Sequence, residues 1–377
     1  MNTILTEVRS SRLNKFLVTM SLTVALAANA VALVAASTFL ASGAAAETAA
    51  RSTSRAAQPF FKPSAIVLKD GDGNVTRTIY TEIARSKVAK APVVVLLNGL
   101  IYDITRWNPM SEQLAKSGVT VIRLSFAAQP ESLQLLEQND SPAFFKDGLE
   151  LETLADDVSQ VLKHHGVKTK VTVVGLSYGG TVATTFAKLN PKRMKDLILL
   201  SPLVIPLDRY DTAGQSLRTY LDTVRFWENA PCLTYGWLNP WLCTTTDYWY
   251  DTFYNHFYEN YLNVRVSRTP AGIDAGVYKK SVFHLVRATR DYDLRNEVKS
   301  LKNVHMVVSG SEEAKLKVDQ LRAWSMIPGA ERRSLAEFTG VVHALPDEAP
   351  SATAEWIKAI VDGDESLQSG SEYTVTP

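Results

Sequence analysis

A doubly wound α/β fold is predicted by three features of this 377-residue chain: short, near-continuous apolar runs, helical stretches that alternate with them, and one glycine-rich strand-to-helix junction. The runs VVVLL at 93–97, LILL at 197–200 and VHMVV at 304–308 read as strands buried on both faces, which is how a mostly parallel sheet appears in sequence. Composition agrees with a globular protein: 46% of residues are hydrophobic, 21% are charged and the net charge is +1. So balanced a charge gives no basic field for nucleic acid, and a nucleic-acid partner is excluded on that ground.

The expected strands, in order, are 65–69, 76–82, 92–97, 119–125, 171–175, 196–200, 303–309 and 333–338, making an eight-stranded sheet. The first two flank Asp70-Gly71-Asp72-Gly73-Asn74, whose turn chemistry predicts an antiparallel hairpin. Helices are expected at 109–117, 151–165 and 179–189, the last closed by Pro191. The domain plan is a leader at 1–46, a Ser/Ala/Arg-rich linker at 47–62, a core in two parts at 63–206 and 287–362, an insertion at 207–286, and a polar, disordered tail at 363–377.

The leader has Arg9, Arg12 and Lys15 ahead of an uncharged Leu/Val/Ala stretch from Phe16 to Ala46, with Glu47 next. This predicts an export signal cleaved after Ala46, or a membrane anchor if uncleaved, with the folded part periplasmic or secreted. In that compartment the only two cysteines, Cys232 and Cys243, predict one local disulfide. Neither has the His partners of a metal site, and no metal or cofactor is expected.

Residues 171–180, VTVVGLSYGG, carry the chemistry. A serine hydroxyl is a weak nucleophile until it is held against a base and near donors that stabilise an oxyanion. A sharp turn from strand to helix presents Ser177 in that way, and Gly175 and Gly179 permit the close approach it needs.

Three segments resemble the α/β-hydrolase fold family: GLSYGG at 175–180, Asn98-Gly99-Leu100-Ile101 after the strand VVVLL, and VVHALPDEAP at 341–350. The resemblance implies a serine hydrolase with Ser177 as nucleophile, His343 as base and an acid at Glu313 after the seventh strand, Glu312 and Asp208 being the alternatives. It implies an oxyanion hole from the backbone N–H groups of Tyr178 and of Leu100 or Ile101. Two positions depart from the family pattern: Asn98 stands where relatives often have His, and Ser125 where many carry Asp.

Other histidines are read as structural: His164 and His165 as surface groups or partners of the dipole at a helix C-terminus, His305 as a core or sheet-face residue within a strand, His256 and His284 on helix faces near the insertion. The insertion resembles the helical cap of this family. Its aromatic positions 250, 253, 254, 257, 258 and 261 recur at helical spacing, for packing of the cap itself or for lining an apolar acyl pocket. The expected substrate is a small ester with an apolar acyl or alcohol group. An amide substrate, acyl transfer to another acceptor, and a non-catalytic binding protein are the rival readings.

Overall fold

The computed structural model describes residues 60–136, 143–206, 212–227, 241–257, 269–311, 314–367 and 371–377, all within the unit Pro59–Pro377. The strands are β1 (Lys62–Lys69), β2 (Val75–Ala84), β3 (Val93–Leu97), β4 (Thr120–Ser125), β5 (Val171–Leu176), β6 (Met194–Leu200), β7 (Val304–Ser309), β8 (Arg332–Phe338) and β9 (Ser371–Val375). The longer helices are α1 (Asn108–Lys116), α2 (Leu151–His164), α3 (Tyr178–Leu189), α4 (Thr212–Trp227), α5 (Trp241–His256), α6 (Ala275–Ala288), α7 (Ala314–Met326) and α8 (Pro350–Asp362). One sheet runs β1-β2-β4-β3-β5-β6-β7-β8-β9, parallel from β4 through β9. β2 pairs antiparallel with both β1 and β4.

Every predicted strand and helix of the core is present within a few residues of its expected bounds. The hairpin turn forms as its chemistry requires, with the Asp70 carboxylate accepting the N–H groups of Asp72 (2.9 Å) and Asn74 (2.8 Å) and Gly73 at φ 87°. The expectation of eight strands and a disordered tail is corrected. Residues 371–375 add a ninth strand, parallel to β8, and Thr339 N–H donates to Val375 O at 2.8 Å. SEYTV is a short polar segment with a β-branched end, so composition suggested disorder; the open edge of β8 supplies the backbone partners that composition cannot reveal.

Period-two geometry sorts the buried strand residues between two cores. Val93, Val95 and Leu97 face one side with Val171, Val173, Leu197 and Leu199; Val94 and Leu96 face the other with Val174, Leu176, Ile198 and Leu200. The first core is covered by α2, α3 and helices inserted between β6 and β7, the second by α1 and α8. Each such Val or Leu contributes about 1.5–3 kcal/mol on burial.

Three of the longer helices, α4, α5 and α6, lie between β6 and β7. Three aromatic residues of α5 are directed into packing: Tyr250 and Phe253 meet Phe283 of α6 edge-on at 5.1 and 5.3 Å, and Tyr254 meets Tyr278 at 6.1 Å. Of the two uses the sequence left open for this stripe, these contacts are interhelical packing; Tyr258 and Tyr261 fall outside the described residues, as do Cys232 and the Cys243 side chain. Among the described residues no helix is long and apolar enough to cross a membrane.

His165 corrects another expectation, because it is buried at the end of α2 with Nε2 3.2 Å from the Thr81 hydroxyl. Burial lowers its pKa to about 4, and lowers those of His284 and His305 to about 3. Asp157, fully buried against Arg77, is raised by burial to about 6. The histidines are neutral in the fold and charge on unfolding below their ordinary value near 6.5, so their contribution to stability is lost as pH falls from there. Asp157 acts in the opposite sense: its contribution is present in acid and lost as pH rises through about 6. The urea midpoint is therefore expected to fall as pH drops below about 6.5, the three histidines outweighing the buried carboxyls Asp157, Glu131 and Asp196, whose pKa values burial raises, and Asp157→Asn should make that fall steeper. A midpoint that does not change with acidification would show that these rings are solvated.

Candidate active site at the carboxyl edge of the sheet

Ser177 joins β5 to α3 at φ 51°, ψ −113°, outside the backbone regions open to most side chains. Such a conformation costs about 1–3 kcal/mol and persists only where the surroundings over-determine it. Here they do. Ser177 N–H donates to Leu200 O at 2.9 Å, while its carbonyl accepts the N–H groups of Gly180 (2.9 Å) and Leu203 (3.2 Å). The hydroxyl makes no capping bond to α3 and the residue is half-buried.

The two glycines are required by contact. A Cβ on Gly175 would lie 2.3 Å from Gly179 O, and one on Gly179 would lie 2.2 Å from Leu97 O and 2.6 Å from Asn98 O. Strand β5, helix α3 and the end of β3 therefore meet backbone to backbone. Tyr178, the first residue of α3, is buried; its N–H is one of the first-turn donors that a helix leaves without an internal acceptor.

The second oxyanion candidate lies one strand over. Leu100 follows β3 in a turn closed by Tyr102 N–H to Gly99 O at 3.3 Å. Asn98 is buried and its Oδ1 accepts the Trp107 indole N–H at 2.6 Å, so its side chain ties down the loop. Further along, the Asp103 carboxylate caps the one-turn helix Ile104–Trp107, and Glu131 Oε1 accepts Ile104 N–H at 2.9 Å. Burial raises the Glu131 carboxyl pKa.

His343 lies in the loop after β8 and is half-buried. That loop is laced to its surroundings by Gly310 N–H to Phe338 O (2.8 Å), Ser311 N–H to Val341 O (3.0 Å) and Val342 N–H to Glu348 Oε2 (2.7 Å). Gly310 must lack a side chain, since a Cβ would stand 2.6 Å from Phe338 O. The acid Glu313 and its alternatives Glu312 and Asp208 all fall outside the described residues.

The strand order accounts for the convergence. β3, β5, β6, β7 and β8 are adjacent and parallel, so Leu100, Ser177, Tyr178 and His343 all leave the sheet at its carboxyl edge, where open α/β sheets form their crevices. Sequence reasoning missed the link across this edge: Arg106, from the Leu100 side, forms an ion pair with Asp347, from the His343 side. Arg106 also lies over the Tyr102 ring, 4.2 Å from its centroid. Asp347 was visible within VVHALPDEAP at 341–350, but nothing in the pattern named its partner. Burial, with Asp347 adding to it, raises the Tyr102 phenol well above its ordinary value. Among the described residues no group of three or more His, Cys, Asp or Glu is placed to hold a metal ion.

Comparison with known proteins places this architecture. The family model for the alpha/beta hydrolase fold matches residues 92–231, which include the Leu100 turn and the Ser177 elbow. Similar solved structures include a thermophilic esterase from Thermogutta terrifontis, with 18% identity and a TM-score of 0.52, covering 80% of this chain and 98% of that one. A putative lipase from Acinetobacter baumannii has 15% identity and a TM-score of 0.51, with 82% and 93% covered. The enol-lactonase from Burkholderia xenovorans has 18% identity and a TM-score of 0.50, with 76% and 97% covered. No curated protein matches the sequence. The chain has the α/β-hydrolase fold.

The elbow yields a graded expectation. Gly175→Ala and Gly179→Ala should each prevent folding or destabilise by more than the ~1–3 kcal/mol usual for overpacking, because the obstacle is backbone. Gly180→Ala, whose added methyl would meet the Pro202 side chain at 3.1 Å, should be milder. Urea unfolding of the three variants checks the order, and equal losses would contradict it.

Proposed function

We propose that this protein is an exported serine hydrolase that cleaves a carboxylic ester with an apolar acyl or alcohol group. The observation that carries the reading is Ser177, a non-glycine residue kept at φ 51° at the carboxyl edge of a parallel sheet, between glycines with no room for a side chain. Strain of this kind needs an explanation that packing alone does not supply, and presentation of a nucleophile supplies one.

In the proposed reaction Ser177 Oγ attacks the ester carbonyl while His343 takes its proton. The negative oxygen is met by the backbone donors of Tyr178 and Leu100, a term worth about 3 kcal/mol per donor. His343 passes the proton to the departing alkoxide, leaving an acyl-enzyme that water, deprotonated by the same imidazole, resolves to the acid. The third member, Glu313 or its alternatives Glu312 and Asp208, orients the ring and balances its charge. A putative lipase, an esterase and an enol-lactonase share the fold, which supports an ester as the substrate class; chain length and stereochemistry are left to assay.

Helices α4 to α6 are proposed to act as a cap over this edge, with a Cys232–Cys243 bridge stiffening the segment. Export is supported by the charged and then apolar stretch ending at Ala46.

The test is labelling with a fluorophosphonate, followed by peptide mass spectrometry and by turnover of a short p-nitrophenyl ester. Wild type is expected to carry one adduct, at Ser177. Ser177→Ala should stay folded, take no label and lose turnover at least about a thousandfold. A folded wild type that neither labels nor turns over would favour the binding-protein reading instead.

A further inference from the structure

We infer that Gln129 is a positioning residue for the oxyanion donors, an inference that rests on the serine-hydrolase reading above. Gln129 follows β4, one strand from the end of β3, and is fully buried. Its Nε2 donates to Gly99 O at 2.7 Å and lies 3.4 Å from Leu100 O, while its Oε1 accepts Phe126 N–H at 3.0 Å. That last bond fixes which end of the amide is which, since only the oxygen can accept an N–H and only the nitrogen can face two carbonyls.

The consequence follows from the trans peptide, in which C=O and N–H point in opposite directions across one plane. Drawing Gly99 C=O toward Gln129 turns the Leu100 N–H away from it, and drawing Leu100 C=O the same way turns the Ile101 N–H. One side-chain amide therefore sets the planes of both peptides whose donors are candidates for the oxyanion hole. The other bond to Gly99 O, from Tyr102 N–H, is long at 3.3 Å and leaves Leu100 O unheld.

The support itself is rigid. Ser132 Oγ donates to Ser125 O at 2.5 Å and accepts Tyr80 N–H at 2.8 Å, and Glu131 holds Ile104 N–H. Gln129 thus connects a fixed segment to a turn that must present its donors within a fraction of an ångström. Sequence reading passed over it because nothing in the 125–132 pattern marks a glutamine as facing the neighbouring loop.

The experiment measures kcat and KM for a p-nitrophenyl ester with wild type, Gln129→Met and Gln129→Glu, from about pH 5.5 to 9.5. Gln129→Met, similar in volume but unable to donate, is expected to lower kcat on the order of 10- to 100-fold with KM within about threefold. Gln129→Glu keeps the acceptor for Phe126 N–H and donates to Gly99 O only when protonated. Its kcat relative to wild type should therefore be near one at the acid end and fall as pH rises, a signature that loss of packing would not produce.

Wild-type kcat in a folded Gln129→Met, a loss confined to KM, or a pH-independent ratio for Gln129→Glu would overturn the inference. If Gln129→Met does not fold, the Gln129→Glu ratio decides alone. The two readings fail differently: an active wild type with unaffected variants defeats only the role of Gln129. A folded wild type without turnover or Ser177 labelling defeats the hydrolase reading and this inference with it.

Discussion

The rest of the site depends on one close approach, between the backbone of Gly179 and the carbonyl of Leu97. Without a side chain at Gly179, α3 can start within van der Waals distance of the end of β3, and Gly175 allows the same helix to start directly above β5. Three elements separated in sequence become one rigid corner. Ser177 acquires its positive φ from that corner, and the Tyr178 and Leu100 backbones face the same space because β3 and β5 are neighbours in the sheet.

Around the corner the site is held by polar contacts between loops. The Leu100 side is anchored by Asn98 to Trp107 and by Gln129 to the Gly99 carbonyl; the His343 side is anchored by Glu348 and by the backbone bonds from Gly310 and Ser311. Arg106 and Asp347 then join the two sides directly. A carboxyl edge of loops is in this way given something of the stiffness of the sheet beneath it.

The fold was legible because its signals are local. Apolar runs at 93–97, 197–200 and 304–308 have both faces buried, and the GLSYGG junction sets strand, turn and helix within a few residues. The strand-to-helix turn at Ser177 was readable for the same reason. His343 was placed through family order. What escaped was whatever depends on a distant partner: the ninth strand, whose polar SEYTV pairs with β8 and sets Tyr373 against Trp356, and Gln129, Arg106 and buried His165, whose meaning lies in groups tens or hundreds of residues away. The aromatic spacing of α5 was visible, but only the positions of Phe283 and Tyr278 decide that it packs helix on helix.

The parts of the site are drawn from residues near 100, 177 and 343, so no contiguous stretch of chain contains it. Each part hangs from a different strand, and the last is tied through Thr339 to β9, the last strand in the sheet order among the described residues. Edge elements of a sheet open at lower free energy than its centre. Fraying there would loosen the His343 loop while β3, β5 and the elbow stay paired. Loss of function and loss of structure would then be separate events along the same path, and the chain would retain most of its secondary structure after the chemistry had stopped.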